Sequence, residues 1–217
     1  MSEITKTDRT KVKRVPDRGV YDRKTINEIL DSTFHCSVAF DYKGRPMLIP
    51  TLFGRDGDLV YFHGAMSSRM MKELNTGMDI AFSVTIIDGL VLARSAFHHS
   101  MNYRSVVAFG KATAVADEDK MHALKCISDH VIAERWDESR LPNAKELKAT
   151  MVLKMTIDEA SAKIRTGPPS DDKPDYDLDI WAGEIPLSVD SQKPIADPVL
   201  REGIPVPSSV SNFIKKS

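Results

Sequence analysis

Cysteine is scarce in this chain of 217 residues: only Cys36 and Cys126 are present. They stand far apart and form no C-x-x-C, which fits free thiols in a reducing cytosol better than a disulfide framework. No apolar run reaches the ~18 residues that a membrane span requires. The N-terminus lacks the apolar stretch of a secretion signal, so the chain reads as cytoplasmic. Excess charge is also missing. Lys and Arg number 30 against 31 Asp and Glu, which gives no argument for nucleic acid as a partner. H-E-x-x-H, a Cys/His array, G-x-S-x-G, a P-loop and a G-x-G-x-x-G after a strand are all absent, so no metal, serine nucleophile or Rossmann site is expected. No internal repeat is visible.

What is present is an ordinary soluble balance, 41 % apolar and 28 % charged, long enough for one domain with a core. Residues 1–18 read as a polar, mobile arm made basic by Lys6, Arg9, Lys11, Lys13, Arg14 and Arg18. It is either a solvated segment or one that meets an anion or an acidic neighbour. Thr25 to Leu30 has helical spacing. Strands follow from Val38, at Met47–Phe53 and at Leu59–His63, separated by turns at Lys43-Gly44 and Asp56-Gly57. Ser67 and Ser68 can cap a short helix carrying Met70, Met71 and Leu74. Ile80–Ile87, Leu90–Phe97 and Tyr103–Val115 are strands, with Asp88-Gly89 as a hairpin signal. Asp117 is expected to cap the longest helix, whose stripe of Met121, Leu124, Ile127, Val131 and Ile132 is core packing. Met151–Ile157 and Ala160–Arg165 complete the strands. From Gly167 the composition changes: eight of the twelve prolines lie in this extended tail, where Trp181 is expected to pack on something. The chain therefore divides into an arm (1–18), a barrel domain (19–166) and a tail (167–217). Short strands with closely spaced turns suggest a closed antiparallel barrel with peripheral helices.

Three stretches could carry chemistry. At Tyr61-Phe62-His63 a strand ends, and a helix starts at Ser67-Ser68-Arg69. Free N–H groups, hydroxyls and a guanidinium there suit a phosphate, though an ordinary capped helix reads the same way. The segment Arg94 to Ser105 places His98, His99, Asn102, Tyr103 and Arg104 between two apolar strands, a polar density that a hairpin turn does not need. Adjacent histidines on a strand point to opposite faces, so His98 and His99 would not share a metal. Lys163 and Arg165 point the same way from one strand, either to solvent or to a ligand or subunit.

Together these segments resemble the pyridoxamine-phosphate-oxidase-like FMN-binding split-barrel family, in particular its small flavin-nucleotide-binding branch. The resemblance covers roughly residues 14 to 187. It rests on Arg18-Gly19-Val20-Tyr21-Asp22-Arg23, Ile49-Pro50-Thr51, the block from Asp88 to Val107, and Trp181-Ala182-Gly183. It implies a six-stranded antiparallel split barrel that pairs as a homodimer, with FMN at the interface. By position, Phe62, His63, Ser67, Ser68 and Arg69 would hold the flavin phosphate, and Pro50 and Thr51 would face the ring. Asn102, Tyr103, Arg104 and Ser105 would reach the flavin from the partner, and Trp181 would close over it. Two departures argue against efficient pyridoxamine-phosphate oxidation: Met70 stands where the vitamin-producing oxidases have a lysine, and no Arg-x-His pair follows in the tail. The leading expectation is a flavin-dependent oxidoreductase acting on a small molecule, with NAD(P)H or a quinone-type partner. The alternatives are a haem protein using His63, His98 or His99 as axial ligand, and a non-catalytic flavin-binding module.

Overall fold

Alternating burial builds the strands. In β2 (His35–Tyr42), Cys36, Val38 and Phe40 are buried while the residues between them turn outward, the period of a strand with one face on a core. The computed structural model describes residues 3–216. Ahead of β2 come β1 (Gly19–Val20) and α1 (Arg23–Asp31). Asp22 caps α1 by accepting from Thr25 N at 2.9 Å, and Ile26, Ile29 and Leu30 form its buried face. After β2 follow β3 (Arg45–Leu52), β4 (Gly54–Asp56), β5 (Leu59–Ala65), α2 (Arg69–Leu74), β6 (Asp79–Leu92), β7 (Ser100–Lys111) and β8 (Thr113–Ala114). The chain continues through α3 (Lys120–Val131), α4 (Ala144–Ala149), β9 (Thr150–Thr156), β10 (Glu159–Arg165), β11 (Gly183–Pro186) and α5 (Ser208–Lys216).

Every strand pair is antiparallel. One sheet runs β1-β10-β7-β6-β2-β3, with β11 added along β6; a second runs β4-β5-β9-β8. The core lies between them, centred on Phe53, Phe62 and Phe82, with ring centroids of Phe53 and Phe82 5.2 Å apart. The molecule is thus mainly β, an antiparallel split barrel with peripheral helices. β3 ends its sheet, which is where its Pro46 and Pro50 are tolerated. α3 lies across β4 so closely that a Cβ at Gly54 would come 2.6 Å from the Ile127 Cα.

Several local expectations are corrected. Asp88-Gly89 makes no hairpin: β6 runs straight through it with a bulge between Ile87 and Gly89. Gly89 is needed there because β11 approaches, and a Cβ would meet the Ile185 carbonyl oxygen at 2.9 Å. Asp117 does not cap the long helix. It begins a short 3-10 turn and pairs with Lys120 at 2.9 Å, and α3 starts only at Lys120. The long strand from Tyr103 breaks at buried Ala112 into β7 and β8. The arm is not simply solvated: Ile4 and Thr10 are buried, and Ile4 N donates to Tyr21 O at 2.9 Å. Unforeseen elements are α4, opened by an Asn143–Glu146 capping box, together with α5 and β11.

Candidate functional site

The first group forms where β5 hands over to α2. Strand alternation separates its neighbours: Phe62 is fully buried, 5.9 Å from Phe82, and belongs to the core, while His63 faces the other way and is exposed. The phosphate-binding expectation for Phe62 therefore keeps only its backbone. His63 makes no hydrogen bond among the described residues, and desolvation by the protein around it lowers its pKa. Its imidazole is thus neutral near pH 7 and has a free nitrogen lone pair. Ser68 precedes α2 with extended backbone and its hydroxyl makes no capping bond; neither Ser67 nor Ser68 makes a side-chain hydrogen bond among the described residues. Arg69 is exposed and lies over the Tyr42 ring, 5.0 Å from its centroid. This contact brings the start of α2 against the β2–β3 hairpin. On β3, Pro50 is exposed and Thr51 half-buried, on opposite faces.

The second group lies on β7, and alternation divides it too. Asn102 and Arg104 point to one side, Tyr103 and Ser105 to the other. Asn102 is buried; it accepts from the Arg165 guanidinium and donates to Glu184 at 2.5 Å. Arg104 holds Asp88 through two nitrogens, at 2.7 and 3.0 Å, and this bonding raises its pKa. Both residues therefore clamp the chain's own β6 and tail. Ser105 donates to the Lys163 carbonyl at 3.2 Å. Arg165, which was expected to face solvent, a ligand or a subunit, is buried and tied to the Gly167 and Pro168 carbonyls at 2.9 and 3.1 Å. His99 Nδ1 accepts from Ala93 N at 3.0 Å, which leaves its proton on Nε2. His98 Nε2 sits 3.4 Å from Asp172. No hydrogen bond or ring contact joins the two groups among the described residues.

Sequence reasoning missed the tail's main anchor. The Asp171 side chain is completely buried; it accepts from Arg94 N and Ser95 N at 3.1 Å each and from the Arg94 guanidinium at 3.3 Å. Burial pushes its carboxyl up, yet these three donors together hold it below the usual value. A lone aspartate in a Pro-rich stretch carries no periodic signal, so nothing marked it. Trp181 is 66 % exposed, and its ring lies on Gly183, where a Cβ would come within 3.0 Å of it.

No curated protein matches the chain. Among solved structures it is similar to the flavocytochrome Anf3 from Azotobacter vinelandii, with 40 % identity and TM-score 0.90, covering 95 % of this chain and 96 % of that one. It is also similar to the FAD and haem binding protein from Mycobacterium smegmatis, with 36 % identity and TM-score 0.87, covering 90 % and 96 %. A Bacteroides thetaiotaomicron protein proposed for 5-nitroimidazole antibiotic resistance shares the fold at 22 % identity and TM-score 0.55, covering 67 % and 86 %. A family model described as pyridoxamine 5'-phosphate oxidase matches residues 22–164. With the antiparallel split barrel, that match over most of the chain establishes that this protein belongs to the pyridoxamine 5'-phosphate oxidase-like family.

Proposed function

We propose that this chain is a flavin-dependent redox protein that also holds a haem through His63 and acts on a small molecule. The carrying observation is the imidazole of His63, exposed at the end of β5 and without a hydrogen-bond partner among the described residues, in the same short segment as Ser67, Ser68 and Arg69. A haem iron takes a neutral imidazole nitrogen, and of the three histidines considered only His63 has neither nitrogen engaged. Ser67, Ser68 and Arg69 suit a phosphate monoester or diphosphate. Likeness over nearly the whole chain to a flavocytochrome and to a protein that binds FAD and haem supports both cofactors. The second relative favours FAD over the FMN expected from the family resemblance. When bound, the two groups would supply electron transfer; this chain's residues bind, orient and shield them.

The test is the absorbance of the purified protein, with mass spectrometry of what is released on denaturation. A Soret band, a flavin band and a mass of FAD or FMN are expected. His63→Ala is expected to lose the Soret band and keep the flavin. A variant that retains the band refutes the axial assignment. Pyridoxamine-phosphate oxidation is not proposed, because Arg165, one of only two nearby cations able to grip a second phosphate, is bound to the chain's own carbonyls and to Asn102. Turnover above about 10⁴ M⁻¹s⁻¹ in kcat/KM, the low end for ordinary enzymes, would contradict this.

A further inference from the structure

The basic arm crosses the outer face of the β7–β10 pair and borders a half-open cavity of about 270 Å³ against it. Its walls carry Arg9, Lys11, Lys13, Arg14 and Lys163, with no carboxylate among the described lining residues. In a chain with net charge −1 this is a local concentration of positive charge, not a reflection of composition. The Arg9 charge is met by Glu159. Lys11, Lys13, Arg14 and Lys163 form no ion pair among the described residues.

The floor adds the Ser161 hydroxyl, that of Ser105 being given to the Lys163 carbonyl. Ser105 stands opposite Lys163 and Val107 opposite Ser161 in the β7–β10 register, which puts all four on one face of the sheet. The arm is held in place rather than draped. Thr10 is buried and bonded to Thr7, and Val12 N donates to the Tyr21 hydroxyl at 2.8 Å. A pinned backbone presents its cations with part of the ordering cost already met. Four unpaired cations around one small space repel one another, and a multivalent anion relieves that repulsion.

We propose that this cavity is a binding site for a diphosphate group. Its volume lies below the ~300–1,000 Å³ of pockets that enclose whole drug-sized ligands, so it admits the anionic part of a nucleotide and leaves the remainder outside. Such a group reaches it as the diphosphate limb of a flavin dinucleotide or as a separate phosphorylated molecule. The chemistry is the same in both cases, and the site stands independently of the flavin reading.

The probe is inorganic pyrophosphate, titrated calorimetrically into the full chain as purified, stripped of cofactor, and reloaded with FMN or with FAD. Saturable binding is expected in stripped protein at or below about 1 mM, weakening as salt rises. Lys13→Gln/Arg14→Gln is expected to weaken it at least about tenfold. Lys163→Gln, on the other wall, is expected to weaken it without touching the arm. Binding that survives FMN but is blocked by FAD assigns the site to the flavin's own diphosphate; binding that survives both assigns it to a separate ligand. Either outcome supports the site. Absence of saturable binding in stripped protein, or wild-type affinity in both variants with an unchanged melting temperature, overturns it. Because stripped protein is titrated, failure of the flavin reading and failure of this site are distinguishable.

Discussion

Arg69 and His63 lie in one short segment between β5 and the start of α2, yet they carry different kinds of chemistry. Arg69 is an exposed guanidinium resting on Tyr42, so its removal leaves no hole in the core. Arg69→Ala is expected to weaken flavin binding by about 1.5–3 kcal/mol, roughly ten- to more than a hundredfold, with no loss of stability. Fluorescence titration with FMN and FAD measures it. A second residue-scale effect is a pH dependence. His130 donates from Nε2 to Thr33 O at 2.9 Å and packs 4.6 Å from Phe53. Burial lowers its pKa below the ordinary 6.5, and the bond to Thr33 only partly offsets this. Between the folded and unfolded pKa values the unfolded chain binds the extra proton, so stability is full above about 6.5 and falls as the pH drops below it. The urea midpoint is therefore expected to fall from about pH 7.5 to about pH 5, the window in which histidine titrates. His130→Gln should flatten that fall.

Elements are positioned here by what is small as much as by what is large. Gly54 lets α3 rest directly on β4, and its missing Cβ is the reason α3 can cover Phe53 and Tyr61 from outside. Gly54→Ala is expected to cost about 1–3 kcal/mol, the range for overpacking, and to be read as a shift in the urea midpoint. Phe82→Ala, in the ring cluster that separates the two sheets, is expected to cost about 3–5 kcal/mol. The strands were readable because apolar and polar residues alternate, as in Cys36-Ser37-Val38-Ala39-Phe40. The Asp88-Gly89 pair was not readable. The same dipeptide serves a turn and a bulge, and the choice depends on β11, which arrives from nearly a hundred residues later in the chain. The tail's attachment was hidden for a related reason: Asp171 meets Arg94 and Ser95 only after folding, with no local pattern to announce it.

At the scale of the whole molecule, the single chain leaves apolar surface that an isolated barrel does not need. Leu48, Pro50 and Leu52 alternate along the open edge strand β3, and Leu48 is 64 % exposed. Trp181, Ile180 and Ile185 are exposed on the tail, and Phe97 is 88 % exposed beside the histidine pair. We propose that a second copy of the chain covers this surface, the homodimer implied by the family. The two groups of site residues, separate within one chain, would then meet across it. Sedimentation is expected to give a dimer at sub-micromolar protein. Leu48→Asp is expected to shift it toward monomer and to release flavin in parallel. A monomer that keeps its flavin contradicts the arrangement.

The sequence by itself determined the class of the fold and the chemistry available. Two-residue alternation and closely spaced turn glycines over most of the chain, with a single long helical stripe, favour an antiparallel β structure with peripheral helices. The order His63, Ser67, Ser68, Arg69 already placed an imidazole beside hydroxyls and a cation. Only the tertiary structure decided which of those groups are free. Asn102, Arg104 and Arg165 look as available as Arg69 when read along the chain, because an amide or a guanidinium has the same donors wherever it stands. Once β6, β7 and the tail are brought together, Arg104 is occupied by Asp88, and Asn102 and Arg165 by each other. Lys11, Lys13 and Arg14 of the arm, by contrast, are left without an ion pair among the described residues around a cavity with no carboxylate in its lining. Charge is a property of the residue, but its availability depends on which partners the fold delivers.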